Sequence, residues 1–153
     1  MDFITQLPWS NNFDSILVVV DSFSKMAIFI PAYGTITSLD LAQIFISHVF
    51  SKHGLPVSIV SDRVSLFVSS FWNQLCQKLK ISRDLSTAFH PETYGQTERV
   101  NQNLEQYLWM YVSYHQDDWY TWIPLAEFAY NNAENSSTKQ SPFFNHLWKK
   151  SQL

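Results

Sequence analysis

A chain of 153 residues, 46% hydrophobic, 16% aromatic and 15% charged, is globular in composition and fits one domain able to bury about two thirds of its unfolded surface. Its net charge of −3 excludes a strongly basic nucleic-acid glove, although its few Lys and Arg could still cluster in space. Cys76 is the only cysteine, so no internal disulfide forms, and it combines with five scattered His to give no paired zinc spacing.

In chain order, MDFITQL reads as a strand and PWSNNFD as turn chemistry. DSILVVVD and KMAIFIPA, separated by the tight DSFSK turn, are short β-branched or aromatic runs bounded by polar residues. A meander of three antiparallel strands is expected. Thr37 or Ser38 then caps a helix whose inward positions, Leu41, Ile44, Phe45, His48 and Val49, recur by threes and fours until Gly54 and Pro56 stop it. VSIVSD is a fourth strand, and a helix from about Ser70 to Lys80 leads by a second crossover to a fifth in ISRDLST. The Pro91 to Gly95 stretch reads as a loop. Beyond it Val100, Leu104, Tyr107, Leu108 and Tyr111 form one helical stripe, with Glu98 about 140° from its centre beside Gln102 and Glu105. A further helix carries Pro124 early, with Trp122, Leu125, Ala126 and Ala129 on one side, and AENSSTKQS is a polar loop. The longest apolar runs are too short to span a bilayer and no leader is recognised, so an intracellular protein is expected.

Three carboxylates come from three separate elements: Asp2 from the first strand, Asp62 from the end of the fourth, and Glu98 from the first turns of the long helix. Ligands gather at the carboxyl ends of strands in such sheets. Converging carboxylates raise one another's pKa unless a cation neutralises them, and Mg²⁺ prefers hard oxygen ligands of this kind. Position alone gives Asp14, Asp21 and Asp40 an equal claim, and each acid taken singly reads as a turn or cap residue.

Thirty-five residues, positions 63 to 97, separate Asp62 from Glu98. With MDFITQLP, VVVDSFSKMAIFIP, HGLPVSIVSDR, FHPETYGQTERVNQNLEQYL and LAEFAYNN, the sequence resembles the integrase core of gypsy-type LTR retrotransposons over nearly its whole length. The resemblance implies an α/β, ribonuclease H-like fold: a five-stranded mixed sheet, three antiparallel strands then two parallel, flanked by helices. It makes residues 1–153 a catalytic core without the family's zinc-binding and C-terminal domains. It also implies that Asp2, Asp62 and Glu98 are the catalytic acids and bind two Mg²⁺ or Mn²⁺ ions, which lie about 4 Å apart in such sites. The activity implied is DNA 3′-end processing and strand transfer, with element ends and target DNA as partners, in the nucleus. A ribonuclease H acting on hybrids would share the metal chemistry, and a silent domain serving only binding or assembly is the alternative.

Beside the triad, Arg63, Tyr94, Arg99, Asn101 and Gln102 are candidate DNA contacts, the two arginines through phosphate. A surface ion pair or a solvated helix face is the plain alternative for these residues, and His90 reads as a structural histidine. Ser22, Val64, Tyr94 and the SPFFNHLWKKSQL end depart from the family's usual words. A turn built for glycine after Asp62 would be strained by Val64 and would impair the site. Trp109 and Val112 make the far half of the long helix apolar nearly all round, so either a second copy or the aromatic helix around Trp119, Tyr120 and Trp122 must cover it.

Overall fold

The computed structural model describes residues 1–85 and 91–151, without the side chains of 91–98 and 148–151. Strands β1 (Asp2–Ile4), β2 (Ser15–Val20) and β3 (Ala27–Ala32) form the expected meander, with Asp2 opposite Val18 and Leu17 opposite Ile30. Within PWSNNFD, Ser10 and Phe13 bridge across Asn11 and Asn12, whose φ values are 49° and 68°. Such left-handed pairs make the tight primed turn, and Asn tolerates them.

Thr37 caps α1 (Ser38–Ile44), and Asp40 returns the bond in a capping box. The helix then widens into a π-helical stretch (Phe45–Phe50), which the 3.6-residue spacing did not announce, and a single turn α2 (Ser51–His53) ends at Gly54 with φ 81°. β4 (Ser58–Ser61), α3 (Ser70–Lys78) and β5 (Ser82–Leu85) follow, with β4 and β5 parallel. Among the described residues three helices follow: α4 (Pro91–Tyr111), α5 (Trp119–Asn132) and α6 (Pro142–Ser151). α4 starts at Pro91, so the segment read as a loop up to Gly95 is helical. Proline suits a first helical position, where its missing N–H has no partner to lose. Pro142 begins α6 in the same way, in a tail for which the sequence suggested no helix.

Among the described residues the strands make two ladders, β1–β2–β3 and β4–β5. Between them Met1 N donates to Val60 O at 2.8 Å. Alternation points the Phe3 N–H to the same side, but that donor bonds Asp2 Oδ1 at 2.8 Å instead. The β1–β4 pairing therefore stops almost as soon as it starts.

Each face of the sheet has its own core. Leu17, Ile30, Phe45, Phe67, Trp72 and Cys76 pack beneath α1 and α3. Ile16, Val18, Phe29, Val100, Leu104 and Ile123 pack between the sheet and α4 and α5. At the outer edge of β3, Asn131 of α5 accepts from Ala27 N at 2.9 Å and donates to Ala27 O at 2.8 Å. Glu127, one turn earlier, accepts from Phe29 N at 2.8 Å. The next outward position is Pro31, which has no N–H to satisfy. Among the described residues, no helix is long and apolar enough to cross a membrane.

Candidate metal and nucleic-acid site

β1 sends Met1 and Phe3 into the core under α1 and α3, and Ile4 into the core under α4. Alternation therefore puts Asp2 on the α4 side. α4 packs across β1, β2 and β4, and its Asn101 donates Nδ2–H to Asp2 Oδ2 at 2.9 Å. Both Asp2 oxygens thus accept a bond, Oδ1 from Phe3 N and Oδ2 from Asn101. The other amide atom of Asn101, Oδ1, is buried without a hydrogen-bond partner.

Asp62 follows the last residue of β4, half-buried, with its Oδ1 accepting from Val64 N at 3.1 Å. Burial pushes its carboxyl above the usual range, and the nearby Asp2 carboxylate pushes the same way; the Val64 N–H opposes both. The Met1 amine is lowered to about 6 because burial outweighs the attraction of Asp2 and Asp62. Asp2 therefore lies close enough to Asp62 for its charge to act there.

The rival acids are spent on local structure. Asp21 accepts from Ser24 N and Ser24 Oγ in its turn. Asp14 accepts from Gly34 N and Ser15 Oγ, and Asp40 closes the cap at Thr37, whose bonds hold its carboxyl below the usual range. Each is a backbone or hydroxyl clasp.

Glu98 lies in α4 one turn before Asn101, but its side chain and that of Tyr94 lie outside the described residues, as does His90 altogether. Among the described residues, no group of three or more His, Cys, Asp or Glu converges as a metal cage. Arg63, Arg99 and Gln102 are exposed. Asn101 differs from its expected role as an outward contact, because its amide turns inward to Asp2.

The expectation of strain at Val64 is not met. Positive φ occurs in described non-glycine residues at positions 6, 11, 12, 25, 80, 116 and 139, and not at 64. The Asp62 carboxylate takes the Val64 N–H, while Val64 O accepts from Phe67 N at 2.9 Å and Val68 N at 3.2 Å. A β-branched residue fits this turn without the left-handed conformation that favours glycine.

Trp109 is 48% exposed and Met110 65%, so α5 covers the end of α4 only in part, chiefly where Tyr111 stacks on Trp122 at 5.9 Å.

A mixed set of antiparallel and parallel strands flanked by helices is the fold of retroviral integrase catalytic cores, which is ribonuclease H-like. The chain superposes on the HTLV-2 integrase catalytic core domain in complex with magnesium, trimeric form, with TM-score 0.72 and 18% identity, covering 95% of this chain and 93% of that one. The BIV integrase catalytic core domain gives TM-score 0.72 and 18% identity, covering 99% and 96%. In sequence, the chain is 40% identical over 143 residues to the Transposon Tf2-3 polyprotein of Schizosaccharomyces pombe (strain 972 / ATCC 24843), and equally to the Tf2-4 polyprotein. Each alignment takes in 94% of this chain and 11% of the polyprotein. The chain thus spans about a tenth of these relatives' length and is homologous to a segment of retrotransposon polyproteins. No family model matches it.

Proposed function

We propose that the chain is the catalytic core of a gypsy-type retrotransposon integrase that cuts and joins DNA strands with divalent metal. The observation that carries this reading is the nearness of Asp2 to Asp62, whose carboxyl is raised by burial and by the Asp2 charge. Two hard carboxylates held side by side are a fitting donor pair for Mg²⁺ or Mn²⁺, and the unpartnered Asn101 Oδ1 beside them suits a metal-bound water.

Asp2 and Asp62 would hold the ions, with Glu98 as the third acid by its place in the HPETYGQTERVNQ words. Two such ions, when bound, activate an attacking oxygen and stabilise the leaving 3′ oxygen in an in-line displacement at phosphorus. The Asn101 bond fixes the Asp2 carboxylate, and the Val64 N–H fixes one Asp62 oxygen. Arg63, Arg99 and Gln102 contact the DNA backbone around the pair, and Tyr94 a base. A second copy covers Trp109 and Met110, and the site of action is the nucleus.

The test is strand breakage or joining on a short labelled DNA duplex in Mn²⁺, with Asp62→Asn alongside. Activity in the parent and loss in Asp62→Asn is expected. Equal activity in both would remove Asp62 from the reaction. Light scattering at tens of micromolar checks assembly: a dimer that Trp109→Lys converts to a monomer is expected.

A further inference from the structure

The face of the sheet opposite the aspartates carries a second arrangement. Phe3 follows Asp2, so its ring passes to the core under α1 and α3. There it stacks on Phe67, with ring centroids 5.4 Å apart and planes 15° from parallel. Phe67 is wholly buried and belongs to the turn that Asp62 opens, closed by the bonds of Phe67 N and Val68 N to Val64 O. From β5, Arg83 Nη1 donates to Phe67 O at 3.0 Å and holds the backbone of that turn.

The two segments that bear the carboxylates are therefore gripped from below by their own rings. Like charges push Asp2 and Asp62 apart on one face, while the stack draws the same segments together on the other. The backbone adds little to this grip, since the bond from Met1 N to Val60 O is followed by a Phe3 N–H turned to Asp2.

We propose that Phe3, Phe67 and Arg83 are positioning residues that set the separation of the Asp2 and Asp62 carboxylates, and through it the pair's affinity for a divalent cation. The second half rests on the metal-dependent reading above; the first does not. None of the three touches a cation or DNA. They act through the geometry of the acids.

Phe67→Leu keeps an apolar side chain and removes the stack, and Phe45→Leu disturbs the same core beside Trp72 away from the acids. Mn²⁺ affinity, read by water proton relaxation well below the melting temperature, is expected to fall about tenfold in Phe67→Leu and to hold in Phe45→Leu. Arg83→Lys, which keeps the charge but loses the fixed fork, falls between. Crystal structures of both Phe variants give the metal-independent readout: the carboxylates stand farther apart in Phe67→Leu only. An unchanged separation in Phe67→Leu overturns the proposal, and so does an equal loss of affinity in both variants. Should the parent bind no Mn²⁺, the metal-dependent reading fails, and the two separations still decide this one.

Discussion

The outer edge of β3 and the seam between β1 and β4 are both places where a strand runs out of ladder, and side chains fill them in opposite ways. At β3 the outward N–H groups are matched: Asn131 takes the N–H and C=O of Ala27, Glu127 takes the N–H of Phe29, and Pro31 has none. At the seam Asp2 takes the N–H of its own neighbour Phe3, and its charge acts on a second carboxylate, Asp62. The first arrangement blocks strand addition at an open edge. The second leaves like charges side by side with a buried amide oxygen unpaired. Burial and the neighbouring Asp2 both push the Asp62 carboxyl up, so this arrangement weighs on stability where the first one supports it.

Removing a matched group should cost most. Asn131→Ala leaves the Ala27 N–H and C=O without partners at a fully buried position, and we expect a loss of about 3 kcal/mol in denaturant unfolding. A loss within error would show that the edge is not sealed by this residue.

Glu127 sharpens the contrast through pH. Burial raises its carboxyl, with the Phe29 N–H, Lys52 and His48 opposing. The folded state thus holds its proton to higher pH than the unfolded chain, so stability falls as pH rises from about 4.5 through the raised folded value. Glu127→Gln keeps an acceptor for Phe29 N and removes that fall. The melting temperature of the variant relative to the parent should rise across this window and level above it; a pH-independent difference would contradict the assignment.

At the seam the sign reverses, because substitution relieves a cost. Asp62 also has a raised carboxyl, so its charge weighs on stability above the usual carboxylate range and not below it. Without metal, Asp62→Asn should be as stable as the parent or more so at neutral pH, by less than about 1 kcal/mol, while Mn²⁺ binding is lost. Marked destabilisation would class Asp62 with the structural acids. The smallest effect belongs to Val64→Gly: with no left-handed backbone to relieve, it should cost about 0.5 kcal/mol and bring no gain in Mn²⁺-dependent activity. A clear gain would restore the strain account.

Much of this arrangement was legible in the sequence because it rests on local periodicity. The strand runs, the Thr37 cap and the buried stripe of Val100, Leu104 and Leu108 are where alternation and helical spacing put them. Asp2 and Asp62 could not be told from Asp14, Asp21 and Asp40 by position, since what separates them is visible only in three dimensions: each of the latter three takes both a backbone N–H and a hydroxyl, whereas Asp62 takes one backbone N–H and lies near Asp2. The inward amide of Asn101 was missed because a polar residue on a polar helix face reads as solvent-facing until β1 is known to lie beneath it. Phe3 and Phe67 each read as ordinary core; only their stacking ties them to the acids. The helical Pro91 to Gly95 stretch misled because Pro and Gly together speak for a turn, whereas here the proline starts the helix.

The most direct measurement is anomalous diffraction from a crystal soaked in Mn²⁺. The account predicts a peak within coordinating distance of both Asp2 and Asp62, lost in the Asp62→Asn crystal. A peak only at other acids, or none beside this pair at millimolar Mn²⁺, would contradict it.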